Sequence, residues 1–132
     1  MSYQSINPFT GELVKSFDEY TDQQLEASIA TAETCYETWR TMSFANRAVI
    51  VSRAAVVMRE RVEDLARLVT LEMGKLLAES VGEVMLSADI LDYYASHAEH
   101  FLAPEHLKPE SGEAVVESSP LGVIFGVQPW NF

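Results

Sequence analysis

Between Pro120 and Pro129 the chain carries the run Leu-Gly-Val-Ile-Phe-Gly-Val at 121–127, small and apolar throughout. Its seven residues suit a strand and are too few for a useful helix. The lack of polar alternation points to a strand buried on both faces, as in a parallel sheet. Beyond it the chain places Asn131 between Trp130 and Phe132, at the C-terminal end of the strand, where open α/β sheets keep their ligand crevices. Parallel neighbours are joined by crossovers of roughly a dozen or more residues, and none follows within the 132 residues. The sheet is therefore expected to be incomplete, finished by another chain or by further residues of a longer one.

The preceding residues read as a helical frame. Asn7-Pro8 and Thr10-Gly11 are turn signals, and Glu12 to Phe17 alternates well enough to pair back as a hairpin strand. Thr21 stands three residues before Gln24 in a capping box. Leu25, Ile29, Ala32, Tyr36 and Trp39 then follow at spacings that share one helical face. Ser43 is placed to cap a second helix with a stripe of Ala48, Val51, Ala55 and Met58, leaving Arg53, Arg59 and Glu60 in water. A third helix is expected over Val62 to Met73, with Gly74 ending it in the left-handed conformation. From Leu76 to about Phe101 the apolar period is sustained, giving a helix on the order of 40 Å long. Pro104 and Pro109 break regularity, Ser111-Gly112 turns, and Ala114 to Glu117 resumes an extended form.

Composition narrows the function classes. A chain of 132 residues that is 48% hydrophobic can build one domain with a modest core. Twenty acidic against nine basic residues leave a net charge of −11, which opposes binding to a phosphate backbone and excludes nucleic acid as a natural partner. The N-terminus has no basic and apolar leader, and no apolar stretch approaches a membrane span. A cytoplasmic protein away from the membrane is expected. One cysteine allows no internal disulfide, in keeping with a reducing compartment.

Several motifs, in order, carry a family resemblance. Pro-Leu-Gly-Val-Ile-Phe-Gly-Val-Gln-Pro-Trp-Asn-Phe at 120–132 resembles the first Rossmann strand and the Asn-bearing motif of the NAD(P)-dependent aldehyde dehydrogenases. Ile6-Asn7-Pro8-Phe9-Thr10-Gly11-Glu12 is similar to that superfamily's N-terminal turn. Leu71-Glu72-Met73-Gly74-Lys75, followed by Glu83-Val84, resembles the link between its early helices, and Trp39 and Arg47 sit where the family has them. Within the superfamily the chain looks most like the succinate-semialdehyde dehydrogenases.

The resemblance implies an α/β fold: the helix-rich N-terminal part of a Rossmann-type cofactor-binding domain with an incomplete sheet. Residues 1–132 form the N-terminal portion of that domain, divided into a hairpin (1–20), a helical part (21–102), and a linker strand with the first Rossmann strand (113–132). It implies NAD or NADP as cofactor, a small-molecule aldehyde as substrate, and a homo-oligomer. The piece around Val115 to Pro120 is similar to part of the family's oligomerisation region. By the same resemblance Asn131 is the catalytic position, and Gln128, Pro129, Trp130 and Asn131 line the cofactor cleft.

The chemistry fits the residue type. An Asn amide can donate to an oxygen that gains negative charge during acyl transfer, and losing one such donor costs about 3 to 4 kcal/mol of transition-state stabilisation. In the family this amide holds the oxygen of the thiohemiacetal formed when a cysteine attacks the aldehyde. From residue physics alone, the more ordinary reading of Asn131 is that it caps a strand, and it is the surrounding motif that turns the reading towards catalysis; Trp130 could serve only as packing. Gly122 and Gly126 do not form the G-x-G-x-x-G phosphate fingerprint and read as points of close backbone approach.

Other candidates fall away. Cys35 lies mid-helix beside Glu33 and Glu37, whose charge disfavours a thiolate. The family's nucleophilic cysteine and general-base glutamate belong beyond residue 132, so these residues alone are expected to be inactive. His97 and His100 share a helix face, but His106 lies past Pro104 and no ligand set is completed. Glu79 with Glu83 and Asp89 with Asp92 read as a solvated acidic face. Lys75 has no catalytic assignment. Two other functions stay open: a truncated, non-catalytic relative acting as an interaction module, and an unrelated helical domain.

Overall fold

The computed structural model describes residues 3–127. β1 (Tyr3–Ile6) and β2 (Leu13–Phe17) pair antiparallel, with a register shift between Ser5 and Ile6. Asn7 builds the turn between them. Its Oδ1 accepts from the Phe9 and Thr10 amides at 2.9 and 3.4 Å, and its backbone oxygen accepts from the Gly11 amide at 2.8 Å. Gly11 closes the turn at φ +73°, where a Cβ would be disfavoured.

Four helices follow: α1 (Asp22–Trp39), α2 (Phe44–Glu60), α3 (Val62–Met73) and α4 (Leu77–Phe101). The expected capping box forms in full: Thr21 Oγ1 accepts from the Gln24 amide and Gln24 Oε1 accepts from the Thr21 amide. Ser43 caps α2 through the Asn46 amide. Gly74 ends α3 in the left-handed region at φ +70°. Arg61 closes α2 and opens α3, so these two helices are joined by a single-residue bend.

The 25-residue α4 is the spine, with α2 and α3 packed along it. The core on that spine is small. Ala55 of α2, Ala66 of α3, and Val84 and Ala88 of α4 are its buried apolar residues, with Ser80 buried among them. Alanines at helix crossings let the backbones approach closely, while larger side chains flank the seam. Thr70 and Ser80 hydrogen-bond each other at 2.9 Å across α3 and α4, so the buried hydroxyl is satisfied.

Two elements differ from the sequence expectation. β3 (Glu105–Leu107) pairs antiparallel with β4 (Ala114–Val116), so the proline-flanked stretch joins a hairpin. The apolar run 121–127 forms no strand, and Leu121, Ile124, Phe125 and Val127 are exposed. A strand exists by pairing, and among the described residues β1 pairs with β2 and β3 with β4 while the run 121–127 pairs with neither ladder. No helix among the described residues is long and apolar enough to cross a membrane.

Candidate functional site

The residues that the family motif nominates, Gln128, Pro129, Trp130 and Asn131, lie outside the described residues. The structure does describe what leads to them. The Tyr36 hydroxyl, from the last turns of α1, donates to the Pro120 carbonyl at 3.4 Å, tethering the apolar run at its start. Gly122 is at φ +113°, and nothing lies within 4 Å of where its Cβ would sit. Its glycine is needed for backbone conformation rather than for space.

The α3–α4 corner carries the motif of Leu71 to Lys75. Ser5 Oγ of β1 donates to Glu72 Oε1 at 2.9 Å, and the Pro8 ring lies against Gly74, so the N-terminal hairpin docks on this corner. Lys75 Nζ reaches forward to Glu83 Oε2 at 2.5 Å. With side chains only 20% and 26% exposed, this pair is partly shielded from water and pins the first turns of α4 to the corner. Glu83 thereby leaves the solvated acidic face that its spacing from Glu79 suggests.

The second acidic pair stays solvated, with the Asp89 and Asp92 side chains 65% and 40% exposed, and it also takes an arginine. Arg59 of α2 lies between Asp89 and Asp92 of α4, with Nη2–Oδ1 2.7 Å and Nη1–Oδ2 2.6 Å. Hydrogen bonds that the guanidinium donates to Asp89, and then to Asp92, raise the Arg59 pKa above its ordinary value. The carboxylates thus form one half of an interhelical clamp. Spacing along one helix exposes the like charges and is silent about an arginine thirty residues earlier.

Trp39 and Arg47 converge on a common feature. A cavity of about 200 Å³ opens between the end of α1, the start of α2 and the C-terminal half of α4, lined mainly by apolar atoms of Trp39, Phe44, Val51, Ala98 and Leu102. The Arg47 guanidinium lies 4.4 Å from the Phe44 ring centroid, in cation–π contact at the rim. The family resemblance singles out Trp39 and Arg47 one by one, and their meeting at one cavity comes from three helices converging.

Neither of the remaining chemical candidates gains support. Cys35 is exposed. His97 stacks on Tyr93 at 4.3 Å with Nδ1 2.7 Å from the Tyr93 carbonyl, and the Phe101 ring lies 5.9 Å from His97 and 6.0 Å from Tyr93, so the three rings form one cluster. Among the described residues no group of His, Cys, Asp and Glu could hold a metal ion.

Comparison with known proteins fits this arrangement. The chain is 45% identical over 130 residues to the succinate-semialdehyde dehydrogenase [NADP(+)] of Deinococcus radiodurans, covering 98% of this chain and 27% of that protein. Its fold matches the succinic semialdehyde dehydrogenase of Streptococcus pyogenes solved with NADP+, with TM-score 0.80 and 38% identity over 86% of this chain and 25% of the other. A betaine aldehyde dehydrogenase of Staphylococcus aureus, solved with NAD+, matches with TM-score 0.85 and 28% identity over 98% of this chain and 26% of the other. The chain therefore spans about a quarter of the length of these relatives. Because the family model described as "Aldehyde dehydrogenase family" matches residues 1–132, the chain belongs to the aldehyde dehydrogenase family.

Proposed function

We propose that this chain is the N-terminal part of an NADP-dependent enzyme that oxidises an aldehyde, with succinate semialdehyde as substrate, to the carboxylic acid. The observation that carries the reading is the 45% identity, across nearly the whole chain, to a relative named for that substrate and cofactor. The Asn131 amide would donate to the oxygen of the thiohemiacetal, stabilising the charge that develops there. Gln128, Pro129 and Trp130 would line the nicotinamide side of the cleft.

The cofactor, when bound, supplies the hydride acceptor. By the family motif, nucleotide binding belongs to 128–131 together with residues outside this chain, and the nucleophilic cysteine and the general base belong to residues outside it. The 132 residues alone are inactive on this reading, and the working enzyme is a cytoplasmic homo-oligomer.

A second reading, a non-catalytic interaction module, is favoured by one observation. Large apolar residues such as Leu25, Ile29, Ile90 and Tyr94 are about half exposed, so much of this surface is suited to contact. Intact mass and the reading frame beyond Phe132 separate the two. A longer product that reduces NADP+ with succinate semialdehyde, and loses about 10²- to 10³-fold in kcat on Asn131→Ala, is the expected result. A native product ending at Phe132, or a longer one that turns over no aldehyde, overturns the first reading.

A further inference from the structure

The run 121–127 lacks the feature that ordinarily fixes a strand's register. Its residues are apolar or glycine throughout, so a slip by one position exchanges one apolar face for another, and glycine-rich strands specify their register weakly. Each such slip carries the following residues along by about 3.3 Å and reverses the direction of their side chains. Asn131 stands four residues after Val127. Its placement therefore needs an anchor other than hydrophobic pattern.

The structure holds an anchor at the start of the run. The Tyr36 hydroxyl donates to the Pro120 carbonyl at 3.4 Å, and among the described residues this is the one hydrogen bond that the stretch 120–127 makes. It links positions 84 residues apart, so it ties the run to α1 rather than to a neighbouring turn. Tyr36 is itself constrained. It is half-buried, its ring lies 5.6 Å from the Arg40 guanidinium, and Arg40 pairs with Glu37 at 3.6 Å. Two residues past Pro120, Gly122 adopts φ +113°, a conformation that other residues rarely take. The tether and the bend that sets the direction of the run thus lie side by side.

Resting on the enzymatic reading above, we propose that Tyr36 is a positioning residue for that reaction: its hydroxyl fixes the start of the run at Pro120 and, through the run, the placement of the Asn131 amide. The role requires no contact between Tyr36 and substrate or cofactor.

The test compares the longer product with its Tyr36→Phe, Asn131→Ala and doubly substituted forms, reading kcat with succinate semialdehyde and NADP+, normalised to folded protein. Phenylalanine keeps the ring beside Arg40 and removes only the donor. A misplacement of about 1 Å can cost roughly 10²-fold in rate, so the smaller displacement released by one long hydrogen bond is expected to lower kcat by about 3- to 10-fold. In the Asn131→Ala background the same substitution should leave kcat unchanged, because the group that Tyr36 positions is already gone.

A Tyr36→Phe form with the parent's kcat would overturn the proposal and leave the enzymatic reading intact. An equal fall in kcat with and without the Asn131 amide would also overturn it, since Tyr36 would then act on the fold at large. A longer product that turns over no aldehyde before any substitution would overturn the reading and the proposal together.

Discussion

A Cβ placed on Gly74 would lie 3.1 Å from Pro8 Cγ, so the N-terminal turn is seated against the one backbone position at the α3–α4 corner that has no side chain. Two requirements meet at this glycine. Its φ of +70° is left-handed, and its Cα faces a rigid ring that cannot swing away. Ser5 and Glu72 close the same contact with a hydrogen bond.

Gly74→Ala is accordingly expected to destabilise the chain by about 1–2 kcal/mol from backbone strain, with displacement of the Pro8 turn adding to it. Thermal denaturation measures the loss, and hydrogen exchange at Phe9 and Gly11 reports the turn. An unchanged melting temperature would remove Gly74 as a conformational requirement.

Gly82→Ala should act in the opposite direction. Gly82 lies inside α4, and nothing is within 4 Å of its Cβ position. Alanine there restricts the unfolded chain without a native clash and should stabilise by roughly 0.5–1 kcal/mol. The pair of variants separates the two uses of glycine in one experiment.

Arg59→Met breaks the clamp to Asp89 and Asp92 and leaves two carboxylates close together on α4. A lower urea midpoint is expected, because α2 and α4 lose their charged link. The deficit should shrink between low salt and 1 M NaCl, where exposed charges are screened within about 3 Å. A salt-independent deficit would mean that the arginine acts through its aliphatic stem alone.

Ser80 is fully buried and bonded to Thr70. Ser80→Ala should cost about 1 kcal/mol, since Thr70 loses its partner at a packed seam. Ser80→Leu should cost about 1–3 kcal/mol or more, because the close crossing of α3 and α4 leaves no room for the added methylenes. Equilibrium unfolding of the two variants ranks them, and a milder effect for leucine would contradict the packing described.

Thr21→Ala removes the capping box of α1, with a typical cost of about 1 kcal/mol. Because α1 buries none of its residues, little tertiary packing offsets the loss. Fraying of the first two turns should be visible as faster amide exchange from Gln24 to Ser28, with α4 unchanged.

Local chemistry was legible wherever it is written in neighbouring residues. The box at Thr21 and Gln24, the cap at Ser43, the turn at Asn7 and the left-handed Gly74 are each encoded within a few positions, and each forms as expected. The α1 stripe of Leu25, Ile29, Ala32, Tyr36 and Trp39 was legible as a face but not as a contact. In the structure Leu25 and Ile29 stay about half exposed, because a helical period says that a face is apolar and says nothing of what covers it. The same limit applies to 121–127, whose composition is that of a buried strand and whose pairing partners are absent from the described residues. The candidate site at Gln128 to Asn131 came from motif resemblance, and it lies beyond what the structure describes.

The sequence by itself determined the four helices, their ends, the N-terminal hairpin and the family, since caps, turns and apolar period act over distances of a few residues along the chain. Only the tertiary structure decided that Arg59 holds Asp89 and Asp92, that Lys75 takes Glu83 off the solvated face, and that Trp39 and Arg47 border one cavity. Those relationships depend on which helix faces cross and at what height. Crossing is set by small residues such as Ala55, Ala66 and Ala88 at the seams, and their effect on distant charges is fixed only once the helices are packed.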